Sequence, residues 1–124
     1  MSLERGKHTR VIPSFIELPI FTRRWLQLGL TDDDRLELEA LIGGNPMSAP
    51  VVPGTGGVRK LRFAPPSMRR GKSGATRVIY LFVDRRGWVF LLTIYDKTRK
   101  DNLTQQEVQS IRKAVDAIKA EFGF

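Results

Sequence analysis

Apolar side chains recur with helical spacing in three segments of the chain, and the first two segments predict a short helical hairpin. Pro19 suits the first turn of a helix, and Phe21, Trp25 and Leu28 then line one face of that helix. Gly29 is placed to end it, because glycine adopts the left-handed backbone conformation without steric cost.

The second helix of the hairpin is expected to begin at Thr31, whose hydroxyl can cap the free N–H groups of the first turn. Asp32–Asp34 follow, where the positive end of the helix dipole favours carboxylates. This capping role accounts for the acidic run better than a magnesium site does. Leu38, Leu41 and Ile42 share an apolar face.

Four segments carry the apolar patterns of β-strands, and three of them follow a Gly- and Pro-rich loop over residues 43–57. The predicted strands are Phe15–Leu18, Val58–Ala64, Ala75–Val83 and Trp88–Tyr95. The second strand alternates, so that Leu61 and Phe63 face one way. The last two strands are apolar on both faces, as central strands are, and a tight hairpin turn at Arg85–Gly87 joins them.

The last helix has a capping box, T-x-x-E, formed by Thr104 and Glu107. Its apolar stripe consists of Val108, Ile111, Val115, Ile118 and Phe122. The element order is therefore β-α-α-β-β-β-α. It predicts an α+β fold in which an antiparallel sheet packs against an N-terminal helical hairpin and a C-terminal helix. Residues 1–13 lack periodicity and are predicted to form a flexible tail before a single domain, residues 14–124.

Missing residue types exclude several classes of chemistry. The chain has 124 residues and no cysteine, so it can build a core but has no disulfide, thiolate metal site or cysteine nucleophile. A single histidine, His8, excludes a two-histidine ribonuclease and a multi-histidine zinc site. The GTGG run at residues 54–57 lacks the Lys-Ser/Thr of a P-loop and precedes a strand. We expect no cofactor.

Membrane and export signals are also missing from the sequence. No apolar run is long enough to span a bilayer, and the first ten residues lack the apolar core of a signal peptide. We therefore expect a cytoplasmic protein without a membrane partner.

Positive charge is concentrated in one part of the chain. The chain carries 21 Lys and Arg against 13 Asp and Glu, a net charge of +8. The segment from Arg59 to Lys100 has 12 of the basic residues and only two acids, Asp84 and Asp96, so it carries +10 and the remainder carries −2. This asymmetry indicates a polyanionic partner, and phosphate is the group that fits best.

The basic residues of this segment are expected to converge on one surface. Lys60 and Arg62 are two residues apart on a strand and leave it on the same face, and Arg77 near the start of the next strand can lie opposite them. The other basic residues of interest follow the last strand or lie in the loop over residues 65–74; they are Lys97, Arg99 and Lys100, and Arg69, Arg70 and Lys72.

A cationic surface suits RNA cleavage without a metal, in which the RNA's own 2′-hydroxyl attacks the adjacent phosphate. A base takes the hydroxyl proton, cations stabilise the phosphate charge and an acid protonates the leaving oxygen. Arginine suits the cationic role, because it stays charged and its fork matches phosphate oxygens. The candidates for base or acid are Lys60 and Lys97, with Tyr95 as a third.

Two stretches together resemble a known family, GTGGVRKLRFA at residues 54–64 and GATRVIYLFVDRRGWVFLLTIYDKTRKDNLT at residues 74–104. They resemble the RelE/HigB-type toxins of bacterial toxin–antitoxin modules. The segments FIELPIFTRRW at residues 15–25 and TDDDRLELEALIGGNP at residues 31–46 are similar to the HigB-like, phage-derived branch. The resemblance extends over about residues 14–122.

The resemblance implies a microbial-ribonuclease-like fold and an mRNA interferase that cuts mRNA in the ribosomal A site. By position, Lys60 and Arg62 match the paired basic residues of the family's second strand. Arg77 matches the arginine that opens the next strand, and Lys97 matches a basic position after the last strand. Each would contact or stabilise the scissile phosphate. Around them, we expect a surface that binds RNA or the ribosome: Arg59, Arg69, Arg70, Lys72, Arg99 and Lys100.

The resemblance also implies an antitoxin with a helix-turn-helix domain, and the operator DNA would be bound only through the toxin–antitoxin complex. Some members of the family carry an arginine just after the last strand and a tyrosine near the C-terminus. Here Thr98 holds about the first position and no tyrosine follows Tyr95. We therefore expect little activity without the ribosome.

Two alternatives remain open from the sequence. One is a gyrase-targeting toxin of the ParE kind, a fold that needs no catalytic cations. The other is a non-catalytic regulator that binds nucleic acid or an antitoxin with the same fold.

Overall fold

The chain folds into one four-stranded sheet with helices packed on both faces. The computed structural model describes residues 12–68, 75–96 and 102–124. The strands are β1 (Ser14–Glu17), β2 (Arg59–Phe63), β3 (Thr76–Val83) and β4 (Trp88–Asp96), and the helices are α1 (Pro19–Gln27), α2 (Asp32–Gly44) and α3 (Gln105–Phe122). The predicted α+β class and the predicted element order are both confirmed.

The strands lie in the order β1-β4-β3-β2. The pairs β2–β3 and β3–β4 are antiparallel, as predicted. The four-residue turn between β3 and β4 is too short for a parallel crossover. The edge strand β1 runs parallel to β4, so the sheet is mixed and the predicted antiparallel arrangement is wrong for this pair. The direction of β1 depends on packing between elements that are far apart in sequence. Since β3 and β4 are the central strands, both of their faces are covered, which explains why both are apolar on both sides.

The first core lies between the helical hairpin and one face of the sheet. Trp25 of α1 stacks with Phe21 and Phe63, with ring centroids 5.6 and 6.4 Å away. From α2, Leu38 and Ile42 are buried, but Leu41 is 48% exposed. The buried stripe of α2 is therefore narrower than the apolar face that the three residues share.

The second core lies on the other face of the sheet, under α3. The predicted stripe supplies three buried side chains, Ile111, Val115 and Ile118, while Val108 and Phe122 are half-buried. The predicted capping box is confirmed, because the Thr104 hydroxyl accepts from the Glu107 N–H and the Glu107 carboxylate accepts from the Thr104 N–H. The long apolar face and the cap together fix α3 along the sheet.

Three segments for which the sequence made predictions cannot be compared with the structure. Residues 1–11 of the predicted tail, residues 69–74 of the basic loop and residues 97–101 after β4 lie outside the described residues. Within the described ranges, no helix is both long and apolar enough to cross a membrane.

Candidate nucleic-acid interface

The strand register brings three basic residues together. Arg62 of β2 stands directly opposite Arg77 of β3, and Lys60 lies two residues before Arg62. Directly opposed residues of antiparallel strands project from the same face, as do residues two apart on one strand. We call the group of Lys60, Arg62 and Arg77 the cation cluster.

The cation cluster lies on the same face of the sheet as α3. The helix covers a neighbouring part of that face. Lys60 stands opposite Ile79, which belongs to the second core. As predicted, Leu61 and Phe63 point the other way, and both pack against the first core. The cluster is therefore at the end of the sheet where β2 ends and β3 begins, with helices covering the remainder of both faces.

Arg62 and Arg77 place two positively charged side chains at one point of the sheet. Like charges directly opposite each other on a sheet are destabilising. Arg62 is exposed, while Lys60 and Arg77 are half-buried. The Arg77 Nη1 makes a long bond of 3.4 Å to the Thr76 carbonyl. Each guanidinium group has N–H donors whose geometry suits phosphate oxygens.

Lys60 is oriented by a residue that the sequence analysis did not single out. Its Nζ donates to Asn102 Oδ1 at 3.4 Å. Asn102 lies two residues before Thr104, the N-cap of α3, so this contact places the lysine near the N-terminal end of that helix. No local signal could have identified Asn102, because it is one polar residue in a polar stretch and the contact joins residues 42 positions apart.

Arg59 is not part of the cation cluster. It alternates with Lys60 and therefore projects from the opposite face. Its Nη1 donates to the carbonyls of Met47 and Ala49 at 2.9 and 2.8 Å, so its charge holds the loop after α2. The Tyr80 hydroxyl donates to the Pro46 carbonyl in the same loop, and burial, only partly offset by the Arg59 charge, raises the pKa of Tyr80.

Tyr95 stands opposite Arg77 on the side away from Arg62, so it borders the cation cluster. Only 7% of its surface is exposed, because its ring packs in the second core. The remaining predicted site residues lie outside the described residues: Lys97, Arg69, Arg70, Lys72, Arg99 and Lys100. The register therefore tests the grouping of Lys60, Arg62 and Arg77 and leaves the others as expectations.

The acidic run at the start of α2 serves the helix, as expected. Asp34 accepts from the Thr31 N–H while the Thr31 hydroxyl accepts from the Asp34 N–H, which makes a reciprocal cap. Among the residues that the structure describes, no group of three His, Cys, Asp or Glu side chains is placed to hold a metal ion. The cation cluster is therefore the arrangement with the clearest chemistry in the described part of the chain.

The fold is similar to that of a solved structure. The structure is similar to that of an arginine-to-alanine double mutant of the E. coli toxin RelE in the free state. The TM-score is 0.53 at 16% sequence identity, and the match covers 84% of this chain and 97% of the other. The sequence matches no model of a known protein family. The likeness thus establishes a RelE-like fold, as the sequence resemblance implied.

Proposed function

We propose that this chain is the toxin of a toxin–antitoxin module and that it is an endoribonuclease that cleaves mRNA on the ribosome. The observation that carries the proposal is the cation cluster, in which cross-strand register pairs two arginines, on a sheet with a RelE-like fold. The sequence resemblance to RelE/HigB-type toxins supports the same assignment. The HigB-like branch is the branch that we propose.

The cation cluster can stabilise the negative charge that develops on a phosphate during cleavage. In the proposed reaction the 2′-hydroxyl loses its proton to a base, its oxygen forms a bond to phosphorus, and the bond to the 5′-oxygen breaks. That oxygen takes a proton from an acid, and the products are a 2′,3′-cyclic phosphate and a free 5′-hydroxyl. Arg62 and Arg77 would hold the non-bridging oxygens, since a charged donor in place contributes most as negative charge develops.

Few residues are candidates for the general acid and the general base. Lys60 is close enough to the paired arginines to act on the same phosphate, and Lys97 remains a proposed participant. Tyr95 borders Arg77 but is mostly buried. Because positioning of the reactants can supply a large part of a rate enhancement, we propose that the ribosome aligns the 2′-hydroxyl with the phosphate.

A cell-free bacterial translation reaction tests this proposal. Purified protein is added, and new mRNA ends are mapped by primer extension. We expect cleavage to require translation. The rate of cleavage should fall roughly 100-fold or more in Arg77→Ala, because removing one preorganised donor to a charged transition state has an effect of this size. Arg85→Ala is the matched control, because Arg85 lies in the exposed turn at the far end of the same strand.

Each other outcome of that experiment contradicts part of the proposal. Intact mRNA with normal protein output would exclude the interferase, and a DNA supercoiling assay with gyrase would then examine the ParE-like alternative. Cleavage of naked mRNA would contradict the ribosome dependence and leave the ribonuclease. Equal loss in Arg77→Ala and Arg85→Ala would remove the cation cluster from the mechanism.

We also propose a partner, an antitoxin with a helix-turn-helix domain that offers an acidic surface to the basic segment. The affinity of the complex is then expected to fall steeply as salt rises, because screening weakens attraction between exposed charges. Calorimetric titration at low and high ionic strength measures this. An affinity that hardly responds to salt would contradict the acidic surface and favour an apolar interface.

A further inference from the structure

A cleft of about 310 Å³ lies at the edge of β4, between α1 and α3. Its walls are mostly apolar and consist of Leu18, Ile20, Leu92, Leu103, Ile111 and Ala114. Polar groups stand among these walls: Arg24 of α1, Thr93 of β4, and Glu107 and Ser110 of α3. The cleft is thus an apolar slot with hydrogen-bonding groups on three of its surrounding elements.

The polar groups of this cleft, which we call the β4 cleft, are held in place. Arg24 Nη1 donates to Thr93 Oγ1 at 2.9 Å, and this bond uses one of the five N–H donors of the guanidinium. The Glu107 Oε1 accepts from the Thr104 N–H at 2.8 Å, so the cap of α3 orients the carboxylate. A planar ligand in the cleft would meet the remaining N–H donors of Arg24 on one wall and the Ser110 hydroxyl on another.

The β4 cleft begins beside the cation cluster. Tyr95 lines the cleft and stands directly opposite Arg77, and adjacent strands are about 4.8 Å apart. A second link lies at the start of α3, where Leu103 lines the cleft and its neighbour Asn102 accepts from Lys60. A nucleic-acid strand whose phosphate lies between Arg62 and Arg77 therefore has a base within reach of the cleft.

We propose that the β4 cleft binds one nucleobase of the RNA strand whose phosphate is held by the cation cluster; this inference rests on the proposed function. Ligand pockets range from about 300 to 1,000 Å³, and the β4 cleft is at the small end of that range, which suits a single ring system. Apolar walls cover the faces of a base, and the polar groups of Arg24 and Ser110 meet its edge. The cleft would then contribute to the sequence preference of cleavage.

The test compares binding of a base with binding of phosphate. Short oligoribonucleotides of uridine and of adenosine are titrated into ¹⁵N-labelled protein beside an abasic ribose–phosphate oligomer of equal charge. We expect the amide signals of Ser110 and Ala114 to shift only with the base-bearing RNA. The signals of Arg62 and Arg77 are expected to shift with both.

Two substitutions in α3 provide a matched pair. Ala114 lines the cleft, so Ala114→Leu projects into it, whereas Ala117 is exposed on another face of the same helix. Ala114→Leu is expected to weaken binding of the base-bearing RNA roughly tenfold, to the level of the abasic oligomer, because the stacking of one base is lost. Ala117→Leu should leave both affinities unchanged. Ser110→Leu repeats the test at an exposed position on the rim, where folding is not at risk.

Three results would overturn the inference. If Ala114→Leu and Ala117→Leu bind RNA equally well, the cleft holds no base. If the antitoxin, and not RNA, shifts Ser110 and Ala114, the cleft is a protein-binding site. If no RNA of any kind shifts the signals of the cation cluster, the proposed function itself fails. This outcome differs from failure of the cleft proposal alone, in which RNA still shifts the signals of the cation cluster.

Discussion

Asp34 is the only charged residue that is fully buried among those the structure describes. It accepts from the Thr31 N–H at 2.8 Å, from the Ser67 N–H at 3.0 Å and from the Ser67 hydroxyl at 2.6 Å. Ser67 belongs to a 3₁₀ turn, Pro66–Met68, that follows β2. The Asp34 carboxylate thus caps α2 and also holds the turn that follows β2, the strand that carries Lys60 and Arg62.

Asp34→Asn is expected to lower the free energy of unfolding by about 1–3 kcal/mol, because an amide replaces an acceptor that is bonded to three donors and its NH₂ group faces a donor. Urea denaturation measures the loss. Asp33→Asn is the matched control, since Asp33 is exposed in the same helical turn. An equally large loss of unfolding free energy in Asp33→Asn would mean that stability depends on the negative charge of the first turn and not on the hydrogen bonds of Asp34.

The contribution of Asp34 also depends on pH. Burial raises the pKa of this carboxyl, but hydrogen bonds from Ser67 and Thr31 outweigh that effect and hold the pKa below its ordinary value of 3.8. A depressed folded-state pKa stabilises the fold above the unfolded-state pKa, and this stability is lost as the pH falls through the folded value. The difference in unfolding free energy between wild type and Asp34→Asn should therefore be constant down to about pH 5 and shrink below about pH 4. A difference that grows in acid would contradict this sign.

At the scale of elements, the GTGG run serves the packing of α3 on the sheet. Thr55 is fully buried, its hydroxyl donates to the Val52 carbonyl at 2.7 Å, and it accepts from the Val58 N–H at 3.2 Å. Gly56 has a φ of +89°, and a Cβ there would lie 3.1 Å from a methyl group of Val115. The run is therefore a close contact between loop and helix, in keeping with its poor match to a P-loop.

Gly56→Ala is expected to destabilise the protein by about 2–4 kcal/mol, because a left-handed backbone strain adds to a clash with α3. Gly29→Ala is the control. It has a φ of +73° but nothing within 4 Å of the added Cβ, so only the backbone strain of about 1–2 kcal/mol remains. Thermal or urea unfolding compares the two variants. Equal losses would show that the loop moves away from α3 without cost.

The elements that the sequence predicted well are those with local signals. The caps at Thr31 and Thr104 depend on residues three positions apart, and the β2–β3–β4 order follows from short connections. The parallel pairing of β1 and the exposure of Leu41 depend on how distant elements pack, which no short window of sequence contains.

The same division holds for the candidate site. Strand periodicity placed Lys60 and Arg62 on one face, and a hairpin register could place Arg77 opposite them. The contact of Arg24 with Thr93 joins residues 69 positions apart, so the β4 cleft had no signature in the sequence. Arg59 was grouped with the basic surface by its charge, and only the alternation of the strand and its two carbonyl partners separate it from the cluster.

At the scale of the whole molecule, RNA affinity has two possible electrostatic sources, the overall charge of +8 and the local cation cluster. Substitutions that remove equal charge at different places separate the two. Lys60 and Arg62 lie in the cluster, whereas Arg85 and Arg86 lie in the turn between β3 and β4. The two sites are at opposite ends of β3, a strand of 8 residues, which is about 25 Å long.

A cation that contacts a phosphate of single-stranded nucleic acid contributes about 0.7 to the slope of log affinity against log salt. The double variant Lys60→Ala/Arg62→Ala is therefore expected to reduce that slope by about 1.4. The variant Arg85→Ala/Arg86→Ala has the same net charge and should keep the wild-type slope. Fluorescence anisotropy with a short labelled RNA over a salt series measures both. Equal reductions would mean that RNA senses only the total charge, and the paired arginines would then lose their assigned role as the phosphate site.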